Sequence, residues 1–161
     1  MIRSSGSYKT VIRVIKRQDA EEVGMMAKEF AGYLRDLGDN TMFQFNAKAF
    51  LRDGFGRNRA FYGLIVEVDG KIAGYTLYHD GYDTDKGIHI VYLADLYVRP
   101  EYRRIGLGRK LIEEVKRISK KRGAQKMFWT VFAPNKTARK FYWHIGARYR
   151  RDMLEMKLPI K

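Results

Sequence analysis

The stretch Asp95-Leu96-Tyr97-Val98-Arg99-Pro100-Glu101-Tyr102-Arg103-Arg104-Ile105-Gly106-Leu107-Gly108-Arg109 decides how this chain folds. It closes a nearly all-apolar run, His89 to Val98, as expected of a strand covered on both faces. After Pro100 the period changes. Leu107, Leu111, Ile112, Val115 and Ile118 form one helical stripe, which Gly123 closes. A buried strand therefore passes through a short turn into a helix that begins inside a glycine-containing loop. Free N–H groups at such a helix start point outward and favour an anion. Gly106 and Gly108 lack Cβ, so a phosphate can approach the backbone closely. Arg103, Arg104 and Arg109 flank the loop with donors suited to phosphate. From Arg99 to Arg122 there are ten Lys or Arg against three Glu, so the positive charge is concentrated here. The pattern is not a Walker A loop, because no Gly-Lys-Ser/Thr follows, and it lacks the third glycine of a dinucleotide fingerprint. Taken alone, it is equally met by a tight turn with solvated arginines.

Upstream of this stretch, Thr10 to Ile15 is β-branched and predicts a strand. Asp19 opens a helix carrying Val23, Met26, Ala27, Phe30 and Leu34 at helical spacing. A short helix follows over Ala47 to Arg52 and breaks at Asp53-Gly54-Phe55-Gly56. Ala60 to Val66 and Ile72 to Tyr78 form a hairpin about the turn signal Asp69-Gly70, and His79 to Gly87 is a polar loop. Downstream, Met127 to Phe132 is a strand, Asn135 to Ile145 a helix stopped by Gly146, and Met153 to Leu158 a last strand. The order β-α-α-β-β-β-α-β-α-β predicts an α/β fold with a mixed, mostly antiparallel sheet and helices on both faces. Residues 1–9 are expected to be loosely attached and residues 10–161 to form one domain.

Composition narrows the function. A chain of 161 residues with 45% hydrophobic content can bury a core without covalent staples. The absence of cysteine excludes a disulfide framework, a zinc ribbon and a thiol nucleophile. Three histidines (His79, His89 and His144) argue against a His-rich metal site, so no metal is expected. No apolar run approaches the ~18 residues of a membrane helix, nor is there a stretch of signal-peptide length near Met1. The chain reads as a cytoplasmic protein with no membrane partner. Its net charge of +14 attracts anions and repels polycations at long range.

A second stretch, Ala133 to Ala147, adds to the first. Asn135 follows a strand and can cap the helix it opens. Spacings of three and four put Asn135, Ala138 and Tyr142 on one helical face, with Phe141 beside them. By itself this is an N-cap and a core aromatic. Together the two stretches resemble the signatures of the GNAT superfamily of acetyl-CoA-dependent N-acetyltransferases. Arg103-Arg104-Ile105-Gly106-Leu107-Gly108 matches its Gln/Arg-x-x-Gly-x-Gly/Ala loop, and Asn135, Ala138, Phe141, Tyr142 and Gly146 match its second helix. The resemblance covers about Val11 to Leu158 and implies a single-domain GNAT-like fold. Within the superfamily the chain is most similar to the diamine (spermidine/spermine) acetyltransferases, through Asp53 to Gly56, Gly74 to Tyr78, Tyr82-Asp83 and Tyr92 to Val98.

The resemblance implies acetyl-CoA as co-substrate. Backbone at Leu96, Tyr97 and Val98 would pair with the pantetheine arm. Arg103 through Arg109 would hold the pyrophosphate, and Asn135, Ala138, Phe141 and Tyr142 would lie near the thioester. A small amine, a polyamine-like or an amino-acid-like amine would be the acceptor, and a homodimer the assembly. Tyr142, with a phenol pKa near ~10, suits a general acid for the leaving thiolate, and the Val98 N–H suits the developing oxyanion. Asp95 is the nearest carboxylate to bind or deprotonate the ammonium, or else a structural acid at a strand end. Two departures weigh against a polyamine. Ala94 stands where the diamine enzymes carry an acid, and Asn40 to Phe45 is uncharged. Met42, Phe43 and Phe45 are suited to an apolar substrate wall or to core packing. A protein acceptor on the same fold is one alternative. A nucleic-acid-binding module built on the basic helix Gly108 to Arg122 is another, although no zinc, helix-turn-helix or RNA-recognition signature supports it.

Overall fold

The computed structural model describes residues 8–160, and the first seven residues of the expected loose segment lie outside the described residues. Lys9 exchanges hydrogen bonds with Asp69, through its N–H to Oδ1 and its carbonyl to the Asp69 N–H. The elements are β1 (Thr10–Val14), α1 (Ala20–Asp36), α2 (Ala47–Asp53), β2 (Tyr62–Val68), β3 (Lys71–Asp83), β4 (Ile88–Val98), α3 (Leu107–Lys121), β5 (Lys126–Phe128) and α4 (Lys136–His144). The sheet runs in the order β1-β2-β3-β4-β5, antiparallel except for the parallel pair β4–β5. The chain divides into two compact units, ending and beginning at Thr130 and Val131.

The first unit contains the sheet. At Asp69-Gly70 both residues have positive φ, 49° and 78°, which a two-residue hairpin turn requires. Ile65, Tyr75, Leu77 and Tyr97 pack with Val23, Met26 and Ala27 of α1 and Phe50 of α2. Their strand neighbours Leu64, Val66 and Thr76 are buried as well, and alternation turns them to the opposite face, where α3 packs with Leu111, Ile112 and Val115 buried. The apolar residues of β2 to β4 are consecutive because both faces are covered. Asp19 precedes α1 but does not cap it. Its carboxylate instead pairs with Arg13 at 2.8 Å and accepts from the Lys16 N–H at 2.6 Å. The cap of α2 is Asn46, whose side chain accepts from the Ala49 N–H.

Two strands depart from expectation in length. β3 continues through His79 to Asp83 because β4 pairs with it to Ile88, so most of the expected polar loop is a long hairpin. β5 ends at Phe128 rather than Phe132. In the second unit Asn135 caps α4, its side chain accepting from the Ala138 N–H at 3.0 Å, and Gly146 ends the helix region at φ 94°. The expected strand Met153 to Leu158 does not form. Leu154, Met156 and Leu158 are 91%, 91% and 89% exposed, so an alternating pattern is present without a surface to bury it. The observed order therefore ends β-α-β-α, and the mixed sheet with helices on both faces stands.

Candidate active site

Strand β4 and the turn after it build the site. Opposite Leu77 and Tyr78 the register slips, so that Asp95 pairs with Leu77 and Leu93 with Tyr78, leaving Ala94 as the extra residue of a bulge. Beyond it, the Arg99 N–H donates to the Ala73 carbonyl at 2.9 Å, and the Thr76 hydroxyl donates to the Asp95 carbonyl at 2.7 Å. The backbone groups of Asp95, Tyr97 and Arg99 thus face β3. Two-residue alternation turns those of Leu96 and Val98 the other way. On that side β5 pairs with Ile90, Val91 and Tyr92 and goes no further. The amides at Leu96 and Val98 are main-chain groups along an open edge, where an amide-bearing ligand can add as a strand would.

Arg103 narrows this edge. Its Nε donates to the Val98 carbonyl at 2.7 Å, and its guanidinium lies 5.3 Å from the Tyr33 ring centroid and 5.6 Å from that of Tyr97. Its own N–H donates to the Pro100 carbonyl. Arg103 Nε and its main-chain N–H are thus used at the strand end, while its Nη groups and the donors from Arg104 to Arg109 face no hydrogen-bond partner among the described residues.

The loop carries backbone donors of its own. Arg104 has φ 66° and Gly106 has φ 84°, a left-handed backbone at two of three successive residues. Gly106 caps α3 without a side-chain hydrogen bond, and the first helical bond runs from the Lys110 N–H to the Gly106 carbonyl. The N–H groups of Leu107, Gly108 and Arg109 therefore have no partner within the helix. Arg104, Ile105 and Arg109 are exposed around them, while the Leu107 side chain is buried and anchors the helix. These features fit a diphosphate.

Asp95 lies on the α1–α2 face of the sheet, as Tyr97 does two residues on. The Tyr75 hydroxyl donates to its Oδ2 at 2.6 Å. Burial pushes the Asp95 carboxyl up to about 6, against the opposing pull of that hydrogen bond. It is therefore an acid that changes charge close to neutral pH. Nearby, Tyr97 Oη donates to Glu29 at 3.2 Å, and Arg99 pairs with Glu29 at 3.0 Å and Glu22 at 2.6 Å, binding α1 to the end of β4. Phe43 and Phe45 pack against the core, whereas Met42 is 80% exposed. The three residues expected as one apolar wall are thus split.

Sequence reasoning did not find Tyr75 as the partner of Asp95, nor the inward fold of Arg103. Both contacts depend on tertiary neighbours rather than on local period. In the second unit, Asn135 caps α4, which carries Ala138 and Tyr142, with the Phe141 and Tyr142 ring centroids 5.2 Å apart.

The profile described as "Acetyltransferase (GNAT) family" matches residues 26–147. A thialysine N-epsilon-acetyltransferase of Sus scrofa is 34% identical over 146 residues, covering 86% of this chain and 84% of that protein. The spermidine/spermine N(1)-acetyltransferase-like protein 1 of Homo sapiens is 28% identical over 165 residues, covering 90% of this chain and 23% of that protein. An aminoglycoside N-acetyltransferase AAC(6')-Iy, solved in complex with CoA, superposes with a TM-score of 0.69 at 19% identity, over 97% of this chain and 99% of that one. The fold and the loop define an acyltransferase scaffold, and the chain belongs to the GNAT acetyltransferase family. It is an acetyl-CoA-dependent N-acetyltransferase. Among the described residues, no helix is long and apolar enough to cross a membrane.

Proposed function

We propose that this enzyme acetylates a primary amine by direct attack on acetyl-CoA, with Tyr142 as general acid and Asp95 on the acceptor side. The observation that supports it best is the open edge of β4 at Leu96 and Val98, continuous in sequence with the uncapped start of α3. The Leu96 amide holds the pantetheine arm and the Val98 N–H lies at its thioester end, with Tyr97 keeping the strand in register. The N–H groups from Ile105 to Arg109, with the Arg103, Arg104 and Arg109 guanidinium groups, hold the diphosphate.

Bound acetyl-CoA supplies a thioester carbonyl whose C–S bond breaks as the amine nitrogen forms the amide. The Val98 N–H donates to the carbonyl oxygen as charge develops on it. The Tyr142 phenol gives its proton to the leaving sulfur. Asp95 accepts a proton from the acceptor ammonium, whose ordinary pKa is ~10.4, directly or through water. Asn135, Ala138 and Phe141 share the Tyr142 helix and fix its position. These assignments rest on the family resemblance. The family match crosses the division at Thr130, which supports residues 10–161 acting as one catalytic domain.

The acceptor is a small amine or an amino-acid-like amine before a polyamine. Ala94 contributes no charge, Asn40 to Phe45 carries none, and the +14 chain repels a polycation. The names of the relatives point to amine acceptors of both kinds. The nucleic-acid reading is weakened by the basic helix itself, where Lys116 pairs with Glu113 and Arg117 with Glu114. The same proposal takes the protein to be a cytoplasmic homodimer, as the resemblance implies.

A thiol-release screen over monoamines, amino acids, polyamines and peptides tests the activity. Release with small amines and amino acids ahead of spermidine is expected, and a strict polyamine or peptide preference would reverse the acceptor assignment. Tyr142→Phe should lower turnover with CoA affinity kept. Equal turnover removes the general acid.

A further inference from the structure

The Tyr75 side chain is wholly buried, 0% exposed, in the core beneath α1 and α2, and its hydroxyl reaches Asp95 Oδ2 at 2.6 Å. A tyrosine in such a core ordinarily needs only some partner for its hydroxyl. Here the partner is the one carboxylate placed on the acceptor side. We propose that Tyr75 is a positioning residue for acetyl transfer, holding Asp95 by one oxygen so that the other remains for the acceptor ammonium. This rests on the acceptor-side role given to Asp95 above.

The physical argument has two parts. A carboxylate withdrawn from water rises in pKa, and a hydrogen bond donated to its charged form opposes that rise. Burial, then the Asp95 charge, push the Tyr75 phenol well above the ordinary range, so it remains a donor at any working pH. The direction of the bond is therefore fixed, from phenol to carboxylate. The bond also fixes the carboxylate rotamer from the buried core on the same sheet face, which a solvent molecule would not do.

The other titratable groups around the pair are few within residues 8–130. From β4 there are Tyr97 and Arg99, from α1 Glu22 and Glu29, and from the turn before α3 Arg103 over Tyr97. Glu22 and Glu29 are both held by Arg99, whose single positive charge offsets one of the two. His79 lies on the same sheet face, two residues beyond Leu77 on β3, and stacks on Tyr92 at 5.2 Å. The phenol of Tyr75 is the donor to the Asp95 side chain among them.

Tyr75→Phe removes one oxygen and keeps the ring. The test follows the Asp95 carboxyl carbon by NMR titration with the acetyl donor absent, and separately the pH profile of kcat/KM. The Asp95 midpoint should rise by about one pH unit in Tyr75→Phe. The acid limb of kcat/KM should rise with it, and kcat/KM above the limb should fall severalfold because the carboxylate is no longer held, while CoA affinity holds. A midpoint that moves by less than about 0.3 unit overturns the inference. Asp95→Asn separates the two layers. Full activity with an unmoved acid limb in that variant overturns the acceptor-side reading itself, whatever the Tyr75 titration shows. If Tyr75→Phe fails to fold, 3-fluorotyrosine placed at position 75 gives a stronger donor. The midpoint should then fall, and no fall overturns the inference.

Discussion

Arg103 Nε donates to the carbonyl of Val98, five residues back, at 2.7 Å, so the first arginine of the loop belongs to the strand it follows. The same guanidinium lies over Tyr33 of α1 and Tyr97 of β4. One side chain thus fastens the end of β4 to a helix and leaves the Val98 N–H as that residue's remaining backbone group on the open edge.

Arg103→Leu should therefore act on stability first. It removes a hydrogen bond and two cation–aromatic contacts, a loss of about 1–3 kcal/mol. Urea denaturation measures it. Arg104→Ala should leave the denaturation midpoint nearly unchanged but weaken CoA binding and flatten its salt dependence in calorimetry, because Arg104 is exposed at the loop.

Gly106→Val should disrupt the loop through its backbone. A Cβ there meets nothing within 4 Å, so crowding is not the cause. The φ of 84° is, since a β-branched residue resists the left-handed region by about 1–2 kcal/mol. Relaxation of the loop would turn the N–H groups of α3 off their target. CoA affinity should fall by tenfold or more, about 1.4 kcal/mol.

Gly74→Ala probes the opposite case. An added Cβ would sit 2.5 Å from the Tyr97 carbonyl oxygen and 3.1 Å from Val98 Cα. Both are backbone of β4, so β3 and β4 must separate where the site lies. A loss of about 1–3 kcal/mol in thermal or urea denaturation is expected, together with reduced turnover.

Two carboxylates should give stability opposite dependence on pH. Burial raises Asp19, but the hydrogen bonds from Arg13 and the Lys16 N–H outweigh it and hold Asp19 below its ordinary 3.8. Its contribution is present above that value and is lost as pH falls through the lower folded value. Asp95 is raised to about 6, so the fold favours its protonated form. Stability then falls as pH rises from 3.8 toward about 6, by up to about 3 kcal/mol, and levels off above. In melting experiments from acid to neutral pH, Asp95→Asn should flatten that fall and raise Tm at pH 7. Asp19→Asn should lower Tm at pH 7, with the deficit shrinking in acid.

What was legible in the sequence shares one property: it depends on residues a few positions apart. The stripe from Leu107 to Val115 lies along α3, Asp69-Gly70 turns as a hairpin signal should, and Asn135 accepts from Ala138 three residues on. Periods, caps and left-handed glycines are local, and the chain carries them before it folds. The turn from Arg103 into the start of α3 was readable for the same reason.

The remainder was decided by pairing across distance. β3 extends to Asp83 because β4 runs beside it, and β5 stops after three pairs, short of Leu96 and Val98. Met153 to Leu158 alternates as a strand does yet stays exposed, so the pattern remains without the structure. Tyr75 and Asp95, twenty residues apart, meet only through the register of β3 and β4. Alternation states which residues share a face. The register of two strands decides which of them touch, and that is set by the closing of the whole sheet.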